Sequence, residues 1–438
     1  MTIRAIGADL RARKISCLEL IKQTLAAIKE RDRFNSVITL LEAAALQEAA
    51  ERDAEFAKGI DRGPLHGVPI GLKDLFYTQG VRTTAGSLLY ADFVPRFDAT
   101  VVEQLRAAGA IAVAKTNLHE IAYGVTSGNP HYGAVLNPRD PMRIPGGSSG
   151  GSASLIAAGL LPMCLGTDTG GSIRIPASYC GVAGIKPTYG RVSRKGVLPL
   201  AFSLDHVGPL GACVEDCALT MNAIAEKTEG EDFNLPALPN LSGNRVGVPK
   251  NFFFERVAAD VASAVIAKVD AMKSQGATVV ELEVPNLDDI NRASLVVQMA
   301  EASAVYANCD NPTLFSANAW NLLDSGKRIA GHEYVNAQRL RSIYMREFDA
   351  LWEKIDVLAT PATPITAPLL SESRIRIGTE EEEVRSASTR LVRAMNYLGL
   401  PALSIPCGTG ANGMPVGLQL IGAARTEPTL LQIAKTIE

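Results

Sequence analysis

The stretch Gly146-Gly-Ser-Ser-Gly-Gly-Ser-Ala153 is followed closely by Gly166-Thr-Asp-Thr-Gly-Gly-Ser-Ile-Arg-Ile-Pro176, and together they set glycine-lined backbone beside serine hydroxyls. Glycine lets main-chain N–H groups turn toward a bound anion without a Cβ in the way. A serine among such donors can attack a carbonyl whose developing oxyanion these donors receive. Ser148 and Ser172 are therefore the first candidates for a nucleophile in acyl transfer.

Three other interpretations of this glycine-rich segment each fail on a specific detail. A phosphate-binding loop requires G-x-x-x-x-G-K-[ST], but the nearest lysine downstream is Lys186. The pattern G-x-S-x-G is satisfied formally by residues 146–150, but a nucleophile elbow follows an apolar strand, and Met142-Arg-Ile-Pro145 is a poor strand. A flexible linker would not continue into the small, apolar, helix-favouring segment Ala153-Ser-Leu-Ile-Ala-Ala158.

The general base is the next question, because none of the five histidines stands in a recognisable catalytic pattern. A buried lysine is the known substitute for histidine in such enzymes. Lys73 is the best candidate, at the end of the short apolar run Val68-Pro-Ile-Gly-Leu-Lys-Asp74. Lys115 and Lys186 also end apolar runs, so the residues alone leave all three lysines open.

Four segments in fixed order resemble the amidase signature family of serine hydrolases. They are Pro69-Ile-Gly-Leu-Lys-Asp74, the two glycine-serine runs, and Cys180-Gly-Val-Ala-Gly-Ile-Lys-Pro-Thr-Tyr-Gly190. The resemblance extends more loosely from about residue 7 to Gly413-Met-Pro-Val-Gly-Leu-Gln-Leu-Ile-Gly422, and so covers nearly the whole chain.

The resemblance implies a Ser-cisSer-Lys triad, with Ser172 as nucleophile, Ser148 as bridging serine and Lys73 as base. It also implies a cis peptide bond between Gly147 and Ser148. The lysine must then be buried and uncharged, because a free lysine has a pKa of about 10.4 and is protonated. The implied oxyanion hole consists of the backbone N–H groups of Thr169, Gly170, Gly171 and Ser172.

Further residues receive weaker assignments. Asp168 and Arg174 flank the nucleophile and are expected to orient its loop by charge-assisted hydrogen bonds, and Ser149 is expected to support Ser148 through a hydrogen bond. For the acyl pocket the resemblance indicates a stretch of chain that also fits a plain loop. The candidate pocket residues are Asn117, Tyr123, Thr126, Ser127 and Ile175.

The resemblance predicts an amidase that hydrolyses a carboxylic amide to an acid and ammonia or an amine through an acyl-enzyme. One alternative is the glutamine-hydrolysing A subunit of a tRNA-dependent amidotransferase. That component usually has Gln where this chain has Ile175, and an acidic residue where this chain has Thr389. A second alternative is a hydrolase of urea-like amides such as carboxybiuret, and a third is a non-catalytic binding module, which the three occupied triad positions disfavour.

Composition narrows the remaining classes. The net charge of −3, without long charged runs, argues against direct binding of nucleic acid or a membrane surface. The longest apolar stretches are interrupted, as by Gly159 and Pro162, and the N-terminus lacks a secretory pattern, which predicts a cytoplasmic protein. Seven scattered cysteines form no metal motif, so neither a metal nor a cofactor is predicted. The expected partner is a small-molecule amide, and dimers are common in the family, so a homodimer is a further expectation.

The pattern predicts an α/β fold, with a mixed twisted β-sheet core covered by helices on both faces. Helices are predicted over 8–32 and 38–56, and two helix-glycine-strand units over 101–114 and 261–284. The predicted organisation is one amidase domain, 1–438, in three parts. These are N-terminal helices (1–60), a catalytic core (61–225) and a variable helical pocket region (about 285–355).

Overall fold

The computed structural model describes residues 1–438, and a large mixed sheet flanked by helices dominates it. The strands are β1 (Val37–Leu40), β2 (Pro69–Lys73), β3 (Ile111–Thr116), β4 (Met163–Asp168), β5 (Ala183–Lys186), β6 (His206–Gly211), β7 (Arg245–Pro249), β8 (Thr278–Leu282), β9 (Val357–Pro361), β10 (Arg374–Ile377), β11 (Glu380–Glu383), β12 (Ala402–Thr409) and β13 (Pro415–Ile421).

The helices alternate with the strands through most of the chain. They are α1 (Ile3–Arg11), α2 (Cys17–Arg31), α3 (Glu42–Ala57), α4 (Thr100–Ala107), α5 (Gly150–Ala157), α6 (Arg174–Cys180), α7 (Val214–Ile224), α8 (Ala259–Ser274), α9 (Leu287–Val305), α10 (Ala317–Gly326), α11 (Gly331–Trp352), α12 (Val384–Arg390), α13 (Ala394–Tyr397) and α14 (Glu427–Ile437). No helix combines the length and the hydrophobicity that are needed to span a membrane.

Eleven strands form the main sheet, in the order β1-β3-β2-β4-β6-β5-β12-β13-β9-β7-β8, and β10 and β11 form a separate hairpin. Strand β2 is parallel to both β3 and β4, whereas β4 pairs with β6 and β12 pairs with β13 in antiparallel fashion. The fold class predicted from the sequence is confirmed. The strands β2 to β6 are buried along their whole length because helices pack against this part of the sheet.

Both predicted helix-glycine-strand units are present, as α4 followed by β3 and α8 followed by β8. In each unit the glycine after the helix adopts positive φ, 86° at Gly109 and 99° at Gly276, which ends the helix and turns the chain into the strand. The predicted helical region at about 285–355 contains α9, α10 and α11.

Two predicted helices near the N-terminus were wrong in extent. The helix predicted over 8–32 is two helices, because Ser16 caps the start of α2 and forms a reciprocal capping box with Glu19. The segment predicted as helix over 38–56 begins instead as the edge strand β1, which pairs with β3, and only then becomes α3. Apolar spacing therefore identified the buried side chains but missed the breaks between elements.

Candidate active site

Two parallel strands bring polar groups to one edge of the sheet. Lys73 is the last residue of β2, and its parallel neighbour β4 ends with Thr167 and Asp168. Parallel strands end at the same edge, and Lys73 Nζ accordingly donates to Thr167 Oγ1 at 2.7 Å. The glycine-rich loop before α5 supplies Ser148, whose Oγ lies 2.8 Å from Lys73 Nζ. Residues that are far apart in sequence thus meet in one buried cluster.

The environment of Lys73 favours its neutral form. Its side chain is completely buried, and its two hydrogen-bond partners are hydroxyl groups rather than carboxylates. Burial lowers the pKa of Lys73 to about 7, against the opposing influence of Asp168 and Asp205. A substantial fraction of this lysine is therefore uncharged at neutral pH.

The structure separates the three candidate lysines by their partners. Lys115 lies on β3 and forms an ion pair with Asp74, with 3.2 Å between Nζ and Oδ1. Lys186 donates to the carbonyl oxygen of Pro187 at 2.8 Å. Of the three, only Lys73 contacts a serine side chain.

The candidate nucleophile follows β4 on a short loop. Ser172 is 6% exposed, and its hydroxyl makes no hydrogen bond with a protein atom, so no such bond joins it to Ser148. The Gly147–Ser148 peptide bond is cis, as the family resemblance implies. The structure thus contains the contact between Lys73 and Ser148, while the link from Ser148 to Ser172 stays a prediction.

The expected hydrogen bond from Ser149 to Ser148 is absent, and this prediction was wrong. Ser149 Oγ donates instead to the carbonyl oxygen of Thr167 at 3.2 Å, and the Ser149 N–H donates to the carbonyl oxygen of Ser172 at 3.2 Å. Ser149 immediately precedes α5, where its backbone N–H faces the nucleophile loop and its side chain faces β4. It therefore ties two segments together rather than supporting the neighbouring serine.

The predicted oxyanion donors differ in how they are used. The N–H of Gly171 donates to Asp168 Oδ1 at 2.7 Å, which removes it from the set of free donors. The N–H groups of Thr169, Gly170 and Ser172 donate to no protein atom. Three of the four predicted donors therefore remain free for an anion beside Ser172.

A buried ion pair fixes the shape of this loop. Arg174 Nη2 and Nε contact the two carboxylate oxygens of Asp168, both at 3.0 Å, and Asp168 Oδ2 also accepts from the Ile173 N–H at 3.1 Å. Burial alone would raise the pKa of Asp168, but Arg174 outweighs it and holds that pKa below its ordinary value. The expected orienting role of these two residues agrees with this geometry.

Segments from the C-terminal part of the chain complete the support around Arg174. Its remaining N–H groups donate to the carbonyl oxygen of Val392, to Gln419 Oε1 on β13 and to Asn396 Oδ1 on α13, at 2.7 to 2.8 Å. Asn396 Nδ2 returns a hydrogen bond to Asp168 Oδ1 at 2.8 Å. The nucleophile loop is therefore held by residues more than two hundred positions away in sequence.

A small cavity opens onto Ser172. Its walls come from the loop around residue 124, the nucleophile loop, Leu200, α9 and the segment from α12 to α13. The lining residues are Ala122, Gly124, Val125, Thr169, Gly170, Ser172, Leu200, Gln298, Arg385, Thr389 and Arg393.

The five predicted pocket residues are not among the lining residues of this cavity, and their assignment to the acyl pocket stays a prediction. They are Asn117, Tyr123, Thr126, Ser127 and Ile175. The side chain of Asn117 donates to two backbone carbonyl groups, and Ser127 Oγ donates to the carbonyl oxygen of Gly146 at 2.8 Å. Ile175 is fully buried in an apolar cluster. These side chains hold the backbone around the site, and their loop neighbours Ala122, Gly124 and Val125 reach the cavity instead.

Sequence reasoning missed the most polar part of the cavity wall. Gln298, Arg385 and Arg393 line it, whereas no aspartate or glutamate does. The two arginines stand eight residues apart in a polar helical stretch that contains a third arginine, Arg390, and Gln298 lies in the predicted helical pocket region. Nothing in their local sequence distinguishes them from surface residues.

The sequence matches known proteins over nearly its whole length. A family model described as Amidase matches residues 19–431. The chain is 41% identical over 474 residues to the A subunit of the glutamyl-tRNA(Gln) amidotransferase of Azoarcus sp. (strain BH72), covering 99% of this chain and 96% of that protein.

Solved structures are also similar to this chain over its whole length. One, described only as an amidase, has a TM-score of 0.93 and 35% identity, with 100% of this chain and 99% of the other covered. Another belongs to a vestigial protein complex that reveals the evolutionary origins of an s-triazine catabolic enzyme, with a TM-score of 0.93, 34% identity and coverage of 100% and 98%.

Proposed function

The chain belongs to the amidase family and is thereby an enzyme that acts on C–N amide bonds, and from this premise we propose that it hydrolyses a carboxylic amide through Ser172, Ser148 and Lys73. The observation that carries the proposal is the contact between Lys73 Nζ and Ser148 Oγ in a completely buried setting. A lysine serves as a base only when it is uncharged, and the lowered pKa of Lys73 supports that state.

The first half-reaction forms an acyl-enzyme. Ser172 Oγ attacks the amide carbonyl carbon while its proton passes to Ser148 Oγ, and the Ser148 proton passes to Lys73 Nζ. The carbonyl oxygen becomes an oxyanion, which the free N–H groups of Thr169, Gly170 and Ser172 receive. The proton then returns along the same path to the leaving nitrogen, the C–N bond breaks, and ammonia or an amine departs.

The second half-reaction repeats these steps with water. Water attacks the acyl carbon, gives its proton to the same relay and releases the acid, which restores Ser172 and neutral Lys73. The relay requires a hydrogen bond between Ser148 and Ser172, and catalytic hydrogen bonds often tighten only when substrate is bound. Asp168 and Arg174 act here as positioning residues, because they hold the nucleophile loop and touch no reacting atom.

Labelling and hydrolysis together test this proposal. A fluorophosphonate should modify Ser172 in the folded protein, as located by peptide mass, and Ser172→Ala should abolish both labelling and hydrolysis across a panel of aliphatic, aryl and urea-like amides. Ser242→Ala, which changes an exposed serine, is the matched control and should behave as the unmodified protein. Full hydrolysis by Ser172→Ala, or labelling at another serine, would overturn the assignment.

A second candidate is the hydrolysis of glutamine within a glutamyl-tRNA(Gln) amidotransferase. The 41% identity to the A subunit of such an enzyme favours it, and it would add protein partners and tRNA to the small-molecule substrate. The cavity argues against it, because no acidic side chain lines the wall to receive the ammonium group of glutamine. Ammonia release from glutamine at a rate matching the best simple amide would favour this second function.

A further inference from the structure

Two arginine side chains face the cavity beside Ser172 without an acidic partner. Arg385 and Arg393 line the cavity, and neither forms an ion pair with any carboxylate of the protein. Arg174, the other buried arginine near the nucleophile, is fully paired with Asp168 by contrast. An unpaired cation in a half-buried site loses hydration without compensation, unless a ligand supplies the missing charge.

Arg393 is held against the nucleophile loop. Its Nη2 donates to Thr389 Oγ1 at 2.9 Å, and Thr389 Oγ1 in turn donates to backbone carbonyls of α12. Its Nε is buried and has no hydrogen-bond partner. A methyl group built on Gly170 would lie 3.8 Å from this Nε, so the guanidinium borders the loop that carries the free oxyanion donors.

Arg385 provides the second cation. Its guanidinium carbon lies over the Tyr123 ring, 4.9 Å from the ring centre, in a cation–π contact, and no carboxylate pairs with this guanidinium group. Burial, and then the charge of Arg385, lower the pKa of Arg393 to about 10. The two cations therefore repel each other across the cavity, and an anion placed between them removes that repulsion.

Besides Asp168, which Arg174 neutralises, one more carboxylate contacts the nucleophile loop, and its oxygens are engaged by the protein. Asp205 accepts from Thr169 Oγ1 at 2.6 Å and from the N–H groups of Leu200 and Ala201 at 2.9 to 3.1 Å. Asp205 lines a neighbouring cavity that shares Thr169 and Leu200 with this one, but these donors engage its oxygens. The wall beside Ser172 presents two guanidinium groups and the amide of Gln298. The site suits a negative group and disfavours a positive one.

We propose that the acyl part of the substrate carries a carboxylate that Arg385 and Arg393 bind, so that the substrate is the mono-amide of a short dicarboxylic acid. This inference rests on the proposed hydrolysis at Ser172. Because Arg393 borders the loop that carries the free oxyanion donors, only a short chain fits between the amide and the carboxylate. Guanidinium groups bind carboxylates in a planar, two-point geometry, which would also fix the orientation of the scissile carbonyl.

Three amides of similar shape and different charge test the proposal. They are succinamate, which is anionic, 4-oxopentanamide, which is neutral, and β-alaninamide, which is cationic. The unmodified protein should prefer succinamate to 4-oxopentanamide by about 100-fold in kcat/KM, since two charge-assisted contacts are involved, and should disfavour β-alaninamide further. In Arg385→Gln and in Arg393→Gln the preference should fall by about tenfold each.

Arg376→Gln is the matched control, because Arg376 is an exposed arginine on β10 outside the cavity, and it should keep the full preference. A Ser172→Ala protein provides a readout that needs no turnover. Titration calorimetry should show that it binds succinamate at least tenfold more tightly than 4-oxopentanamide, and that adding Arg393→Gln removes the difference.

The outcomes distinguish the two proposals. Tight binding of succinamate without hydrolysis of any amide by the unmodified protein would overturn the proposed function and leave the carboxylate site intact. Hydrolysis with equal kcat/KM for the anionic and neutral amides, or equal binding of both by Ser172→Ala, would overturn the carboxylate site and leave the proposed hydrolysis standing.

Discussion

The surroundings of Lys73 and Lys115 are two nearly identical regions with opposite chemistry. Both lysines lie on parallel neighbouring strands, β2 and β3, both are completely buried, and burial lowers the pKa of both. Lys115 is bound to the carboxylate of Asp74 and to a backbone carbonyl, while Lys73 meets only two hydroxyl groups. Burial thus makes a lysine unusual, but the partners decide whether its charge is fixed or free to change.

The largest expected effect separates the two lysines by activity. Lys73→Met should lower kcat/KM by about 10²- to 10⁴-fold, because the relay loses its proton acceptor. Lys115→Met should change kcat/KM by less than about tenfold, since Lys115 contacts no candidate catalytic residue. Steady-state hydrolysis by folded protein, checked by circular dichroism, measures both. Comparable losses of kcat/KM in the two variants would contradict the assignment of Lys73, rather than Lys115, as the base.

The next effect concerns stability, and here the variant of Lys115 should show the larger loss. Lys115→Met leaves Asp74 buried without its cation and should destabilise the protein by about 3–5 kcal/mol, seen as a lower Tm. The double variant Asp74→Asn/Lys115→Met removes the stranded charge and should recover much of that loss. Lys73→Met strands no carboxylate and should change Tm less. A Tm for Lys115→Met above that of Lys73→Met would contradict the ion-pair account.

The smallest effect concerns pH. Neutral Lys73 is required, so kcat/KM should rise about tenfold per pH unit below the Lys73 pKa of about 7 and level off above it. Thr167→Val removes a hydroxyl acceptor, which favours the charged lysine more than the neutral one, and should move the midpoint down by about one unit. The Lys115→Met profile should keep the original midpoint. A rate that stays flat between about pH 5 and about pH 9 would exclude Lys73 as the base.

The elements that the sequence predicted well are those whose signal is local. Gly109 follows α4 and precedes β3, and Gly276 follows α8 and precedes β8. Both residues adopt positive φ, which favours glycine, so the sequence itself marks the end of each helix. The break between α1 and α2 was missed because it depends on the side chain of Ser16, which the apolar spacing does not register. The edge strand β1 was missed because it is short and becomes a strand only by pairing with β3.

The site likewise contains features with a local sequence signal and features that depend on the fold. Family resemblance predicts Lys73 as the base among three lysines, but the residues alone left all three open, because the contact between Lys73 and Ser148 joins positions 75 residues apart. The nucleophile loop was identified from its glycines, yet the use of the Gly171 N–H by Asp168 depends on the folded shape of that loop. The arginines of the cavity wall come from a segment more than two hundred positions beyond Ser172 and carry no local signal.

The support of Arg174 by Val392, Asn396 and Gln419 has a consequence for biosynthesis. A ribosome completes Ser172 and Lys73 long before it reaches β13, so a nascent chain carries the reactive side chains without the scaffold that orients their loop. Long-range pairing of this kind is slow, because distant segments must come together before their contacts compensate for the lost chain entropy. We therefore expect the loop around Ser172 to reach its final shape only after β13 has joined the sheet.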